Sequence, residues 1–159
     1  APIDRLSIIL GKAFSQTTRG LLQAAIALGL ALLLFDVVVH GNTLLVALLL
    51  ILGVFSFVGL GVLISAISTE QETAMTIMMT LQFPMLFLCG AFFPIQQMPT
   101  FMQGISKVIP LTYAVGALRK VIVLGAGIPE VLTEVIILAC FGAVMLAIAI
   151  PVFNRVITR

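Results

Sequence analysis

The side chains that could carry out acid–base or nucleophilic chemistry are few and scattered in this chain. It contains one histidine, His40, together with six carboxylates and two cysteines. Two of the carboxylates, Asp36 and Glu134, lie within or at the ends of apolar runs, where a charge is costly enough to suggest a function. With a single histidine, no evident acid–base pair of carboxylates facing each other and no nucleophile in a known motif, the sequence argues against catalysis.

Motifs for nucleotides and metals are also missing from the sequence. At the only Gly-Lys pair, which ends in Lys12, Leu6 replaces the first glycine of a phosphate-binding loop and Ala13 replaces its hydroxyl residue. Cys89 and Cys140 lie in apolar runs at a spacing that favours neither a metal site nor a disulfide. We therefore predict no nucleotide, cofactor or metal site in this chain.

Four methionines and one basic pair are candidates for binding. A patch of Met75, Met78, Met79 and Met85 could form an adaptable apolar surface, with the last three lining a substrate pathway, or could pack ordinarily. The pair Arg119-Lys120 could attract lipid head groups or an anionic substrate, or could extend along the lipid interface.

The composition is that of an integral membrane protein. The 159 residues are 62% hydrophobic and only 9% charged, whereas soluble domains carry roughly 25% charged residues. The mean hydropathy is +1.30. A scattered net charge of +2 does not suggest nucleic-acid binding. The chain begins with alanine and has no charged leader with a cleavage site, so we expect a piece of a longer protein.

Four apolar stretches are long enough to cross a bilayer, since about 20 helical residues match a hydrocarbon core of about 30 Å. They are residues 20–39, 43–67, 74–95 and 131–153. Small residues in the second stretch predict close helix contacts; they are Gly53, Ser56, Gly59, Gly61 and Ser65. Alanines at 139, 143 and 147 predict a packing stripe on the last stretch. Residues 1–19 predict a short amphipathic helix at a membrane surface or against a protein.

Four spans place both ends of the chain on one side of the membrane, and the distribution of Lys and Arg predicts that this side is cytoplasmic. Residues 96–128 are then external, and Asp36 and Glu134 fall about a turn from external ends, where an interfacial position and a substrate or coupling role both remain open. The external segment is too apolar for a loose linker, so we expect a re-entrant helical hairpin. Breaks at Pro84, Gly90 and Pro94 are typical of backbone that lines or caps a pathway. Pro99 and Pro110 each stand where a short helix could start. The predicted fold is one all-α transmembrane domain.

The sequence resembles one family of transporters. Phe83–Pro99 (FPMLFLCGAFFPIQQMP) and Ile109–Arg119 (IPLTYAVGALR) are similar to the end of the membrane subunit of type-2 ABC exporters. Residues 1–12 and the loop Ile67–Met75 (ISTEQETAM) are similar to that family as well. The likeness covers essentially the whole chain but only the C-terminal half of a usual six-span subunit, so the four spans would be its third to sixth.

The resemblance implies an ATP-driven permease that moves an amphipathic drug, lipid or lipid-linked substrate out of the cytoplasm. Asp4, Arg5 and Lys12 would contact the ATP-binding subunit, although Asp4 replaces a small hydroxyl residue of many relatives. The hairpin would gate the external exit; its gate residues would be Phe92, Phe93, Pro94, Met98, Pro99, Phe101, Met102, Pro110 and Tyr113. This chain would hold no cofactor, and the partner ATPase would use ATP and Mg.

The resemblance also implies partners and a location. The permease would pair with a second permease copy, contact membrane lipids and lie in the cytoplasmic membrane with both ends of this segment in the cytoplasm. The main alternative is a membrane scaffold subunit that transports nothing and needs no ATPase. A channel is disfavoured because no predicted span shows a polar stripe.

Overall fold

A computed structural model describes residues 5–35, 38–68 and 70–157. These residues form helices and connecting turns without any strand, and the protein is an all-α integral membrane protein, as predicted. The helices are α1 (Arg5–Phe35), α2 (Thr43–Ile67), α3 (Gln71–Leu88), the 3-10 turn η1 (Ile95–Gln97), α4 (Thr100–Ser106), α5 (Pro110–Leu124) and α6 (Ile128–Ile157). In this described part three stretches are long and apolar enough to cross a membrane: Leu10–Phe35, Thr43–Ile67 and Ile128–Val152.

Helix α1 is continuous, which differs from the prediction of a separate amphipathic helix followed by a span at 20–39. Its 31 residues contain no proline. The hydroxyls of Thr17 and Thr18 donate to the carbonyls one turn back, at 2.8 and 2.9 Å, so the polar residues here stay inside the helix. The amphipathic segment and the first span are therefore one element.

Helix α2 has the predicted bounds, 43–67. The Asn42 side chain accepts a hydrogen bond from the backbone N–H of Leu44 at 2.9 Å, which satisfies a donor that the first turn would otherwise leave free. Ser68 ends the helix in an extended conformation.

Helix α3 is shorter than the predicted span of 74–95 and is not among the three candidate spans. Its 18 residues reach only about 27 Å, and its first turn is polar. It ends at Leu88 because Gly90 takes a φ of +83°, a left-handed conformation that stops helical bonding and suits glycine.

Two short helices precede the last long one, as the hairpin prediction requires. Pro99 is the N-cap of α4 and Pro110 is the first residue of α5, positions where a missing backbone N–H costs nothing. Residues 107–109 make the turn between them, and Gly125, with a φ of +67°, ends α5.

Helix α2 is the centre of the bundle. It runs parallel to α6, because Ser56 contacts Leu138 and Gly59 contacts Gly142. Helices α1 and α5 run antiparallel to α2 on other faces, and α3 contacts it through Met78. We name the two ends of the bundle after the residues at the ends of α2: the His40 end and the Ser68 end.

The alanine stripe predicted for α6 is wrong. Ala143 and Ala147 are exposed, and the face against α2 instead carries Val131, Leu138 and Ala149, each fully buried. Val131 and Leu138 fill the space between the two helices by van der Waals packing, while Gly142 leaves room for α2 to approach closely.

Candidate functional site

A cleft of about 1200 Å³ opens between α1, α2 and α3 and reaches α5 at its inner end. Polar residues concentrate toward the Ser68 end, where Ser65, Ser68 and Gln71 line it. Toward the His40 end the walls formed by α2 and α5 are apolar, with Leu50 and Leu118. The cleft therefore changes from polar to apolar along its length, which suits an amphipathic molecule.

One wall of the cleft is a polar stripe on α1. Its members are Lys12, Gln16, Arg19 and Gln23. Steps of four, three and four residues place side chains on one face of a helix. We call this set the α1 polar stripe.

The two cations of the α1 polar stripe lie at different depths. Lys12 donates to the Ser65 hydroxyl at 3.0 Å, near the Ser68 end. The backbone beside Arg19 packs on α2, since a Cβ at Gly20 would lie 2.7 Å from a methyl of Val54. Val54 is close to the middle of α2, so Arg19 lies level with the middle of a membrane-spanning helix.

Of the three residues predicted to contact an ATPase, the structure positions only Lys12 fully. Asp4 lies outside the described residues, and Arg5 begins α1 without a described side chain. Lys12 faces the cleft. Its role in coupling stays a prediction.

The predicted pathway methionines do not share one surface. Met78 lines the cleft, whereas Met79 is 65% exposed and does not line it. Met85 is buried in an apolar cluster with Leu88 and Ile109.

The residues predicted to form a gate divide into an exposed rim and a packed base. Phe92, Phe93 and Phe101 are exposed, and the ring of Phe92 lies 5.8 Å from that of Phe87. Pro94 precedes η1 and is exposed, as is Pro99. The packed base contains Met98 and Met102, which contact the Met85 cluster, and Pro110, which is buried. Tyr113 donates its hydroxyl to the Lys107 carbonyl at 2.7 Å, closing the turn between α4 and α5.

Two neighbouring basic residues attach α5 to the rest of the bundle. Lys120 forms an ion pair with Glu134 of α6, with Nζ 2.6 Å from Oε1. Arg119 reaches the Gly90 carbonyl at 3.4 Å. The Glu134 side chain is only 14% exposed, and its second oxygen is buried without a hydrogen-bond partner. Glu134 therefore fixes α5 against α6, while Asp36 lies outside the described residues.

The turn between α1 and α2 also holds α5. The backbone N–H of His40 donates to the Ile122 carbonyl at 3.1 Å. A Cβ at Gly41 would lie 2.4 Å from the Val121 carbonyl oxygen, so only glycine allows this approach. The C-terminal part of α5 is thus held both by α6, through the Lys120–Glu134 pair, and by the turn between α1 and α2.

Two features of the site were not predicted from the sequence. The helical spacing of the α1 polar stripe could have revealed it. The prediction, however, ended one helix at residue 19 and began a span at residue 20, which separated Gln23 from the other three residues. The Lys120–Glu134 pair joins residues 14 positions apart across a turn, and no local pattern indicates that pairing.

Known proteins resemble this chain across most of its length. It is 27% identical over 151 residues, 94% of the chain, to ABC transporter G family member 20 of Dictyostelium discoideum. It is 28% identical over 144 residues, 90% of the chain, to the probable multidrug ABC transporter permease YbhS of Escherichia coli. It is 29% identical over 100 residues, 63% of the chain, to nodulation protein J of Rhizobium meliloti.

The aligned part makes up only 21%, 38% and 38% of the length of those three relatives, in the same order. No solved structure gave a significant match. The family model described as "ABC-2 type transporter" matches residues 1–123, most of the helical bundle described above. The chain therefore belongs to the ABC-2 type transporter membrane family.

Proposed function

We propose that this chain is part of the permease of an ATP-driven ABC exporter that moves an amphipathic drug, lipid or lipid-linked substrate out of the cytoplasm. Family membership supports a permease role. The observation that carries the choice of substrate is the cleft, whose lining changes from polar at the Ser68 end to apolar toward the His40 end. A transported amphiphile needs both kinds of surface.

The hairpin supports the exit side of this proposal. Helix α5 packs along the half of α2 nearest the His40 end, with Leu111, Ala114 and Leu118 closing the inner end of the cleft. A substrate leaving toward the His40 end would have to pass this helix. In this proposal the His40 end is external, the Ser68 end is cytoplasmic, and the protein lies in the cytoplasmic membrane.

The energy would come from a partner. The ATP-binding subunit would use ATP and Mg. When the two ATPase subunits close on ATP, the segment containing Asp4, Arg5 and Lys12 would transmit that movement to α1. Such coupling needs two membrane conformations that bind the partner differently. Because α1 is one continuous helix, motion at its start would be transmitted directly to the α1 polar stripe. A second permease copy would complete the pathway.

A directional transport assay tests this function. Inside-out vesicles containing the full-length permease and its ATPase should accumulate a fluorescent amphiphile only with ATP and Mg. Accumulation in right-side-out vesicles instead would make the protein an importer. Absence of ATP-dependent movement in both orientations would favour the alternative, a membrane scaffold that transports nothing.

A further inference from the structure

The cleft contains two cations, Lys12 and Arg19, and neither forms an ion pair with a described carboxylate. Lys12 and Arg19 are seven residues apart on one face of α1, which is about 10.5 Å along the helix axis. The one ion pair among the described side chains is Lys120–Glu134, on the other side of the bundle. Arg19, level with the middle of α2, therefore lacks a described counter-charge where water is least available.

A guanidinium in such a place can bind an anion firmly, because it donates several charge-assisted hydrogen bonds in a fixed plane to the oxygens of the anion. Gln16 and Gln23 flank Arg19 on the same wall and add neutral donors. Glu70 also lines the cleft, but near its Ser68 mouth, beyond Ser65 and Ser68 in the chain. An anion is therefore favoured between Lys12 and Arg19 rather than at the mouth.

The part of the cleft between Arg19 and the His40 end is unsuited to a small free anion. Beyond Arg19, toward the His40 end, α1 contributes the polar Gln23, and the α2 and α5 walls are the apolar side chains of Leu50 and Leu118. An acyl or alkyl chain there would be removed from water, which stabilises binding in proportion to the buried apolar area. A small inorganic anion would leave this space empty.

We propose that the cleft binds amphiphiles that carry an anionic head group, with Lys12 and Arg19 holding a phosphate or carboxylate and the α2–α5 wall receiving the chain. The inference rests on the proposed function, since it names the charge of the substrate that the permease would move. It makes Arg19 a specificity-determining residue.

Binding can be measured separately from transport. The full-length permease in neutral phosphatidylcholine nanodiscs would be titrated, without ATP, with fluorescent lysophosphatidic acid and with chain-matched lysophosphatidylcholine. We expect the anionic lipid to bind about tenfold more tightly or better, the effect of one charged hydrogen bond. Inorganic phosphate should compete far more weakly than the lipid.

Variants identify the residue responsible. Arg19→Gln should bring the affinities for the two lipids to within about threefold of each other, and Arg19→Lys should retain most of the preference. Lys107→Gln removes the same charge from an exposed turn and should leave the preference intact. A Gln16→Cys variant in a Cys140→Ser background should react with a maleimide, and lysophosphatidic acid should protect it.

Several results would overturn the inference. They are equal affinity for the two lipids, an unchanged preference in Arg19→Gln, equal competition by inorganic phosphate, or a Gln16→Cys thiol that is unreactive because another segment fills the cleft. ATP-dependent export that does not distinguish anionic from neutral amphiphiles would refute the head-group inference but would still support the proposed function. Arg19-dependent lipid binding without ATP-dependent export would overturn the proposed function and its cargo, leaving only a lipid site.

Discussion

The hydroxyl of Ser56 lies 2.7 Å from the backbone carbonyl oxygen of Leu138, inside the contact between α2 and α6. Ser56 is fully buried, and the same hydroxyl lies 2.9 Å from the Leu52 carbonyl. One turn further along, Gly59 and Gly142 allow the two backbones to approach closely. Small residues thus do in this bundle what large apolar ones do in water-soluble cores, since lipid gives apolar side chains no reason to leave it.

The first prediction concerns this contact. Gly142→Ala should destabilise the protein by about 1–3 kcal/mol through overpacking, because a Cβ there would lie 2.4 Å from a Phe55 ring carbon. Gly116→Ala is the matched control: a Cβ at this helical position meets nothing within 4 Å, and the variant should gain about 0.5–1 kcal/mol or stay neutral. Thermal unfolding in detergent measures both, and equal midpoints would contradict the close approach.

The second prediction concerns the pair that fixes α5 to α6. Lys120→Met should cost about 1–3 kcal/mol, since it leaves a charged group without its hydrogen-bonding partner, and the Glu134 side chain is only 14% exposed. Adding Glu134→Gln should recover part of the loss because a neutral amide is cheaper to enclose. A double-mutant cycle in thermal unfolding gives the coupling. Strictly additive losses would show that the pair contributes nothing.

The third prediction concerns the turn at the His40 end. Gly41→Ala should separate this turn from α5, because the new methyl group would meet the Val121 carbonyl, a backbone atom that cannot rotate away. The hydrogen bond from His40 N–H to Ile122 should then open, and the His40 amide should exchange with deuterium more than tenfold faster. Gly29→Ala, where a Cβ meets nothing within 4 Å, should leave that rate unchanged. An unchanged rate in Gly41→Ala would refute the contact.

The fourth prediction concerns the hairpin as a gate. Cysteines at Phe93 and Met102, joined by a short bis-maleimide that alkylates both thiols, should block export by the full-length permease. Phe93 belongs to the exposed rim and Met102 to the packed base, so the link would tie the two together. The Cys140 thiol is exposed and must be replaced first. Each single cysteine treated with the same reagent is the control, and normal export by the linked protein would exclude a gate here.

The sequence was most informative where one physical cause acts locally. The bounds of α2 followed from an apolar run between a turn that ends at Asn42 and a polar loop that begins at Ser68. The starts of α4 and α5 followed from Pro99 and Pro110. The small residues of α2 were rightly expected to make close contacts, as Ser56 and Gly59 do with α6.

The sequence could not indicate which helix packs against each face of α2. Gly53 contacts Ala114 of α5, whereas Gly61 contacts Met78 of α3, yet all these small residues look alike in the sequence. The exposed alanines of α6 failed as a packing stripe for the same reason. The continuity of α1 was missed because polarity changes at residue 19 while backbone hydrogen bonding does not.

The central claim is that this chain works in a permease driven by a partner ATPase, and one measurement addresses it most directly. The full-length permease would be purified in lipid nanodiscs together with the ATPase expressed beside it, and ATP hydrolysis would be followed as an amphiphile is added. We expect a stable complex whose rate of ATP hydrolysis rises as the amphiphile is added. A permease that binds no ATPase, or a complex whose hydrolysis ignores every amphiphile, would contradict it.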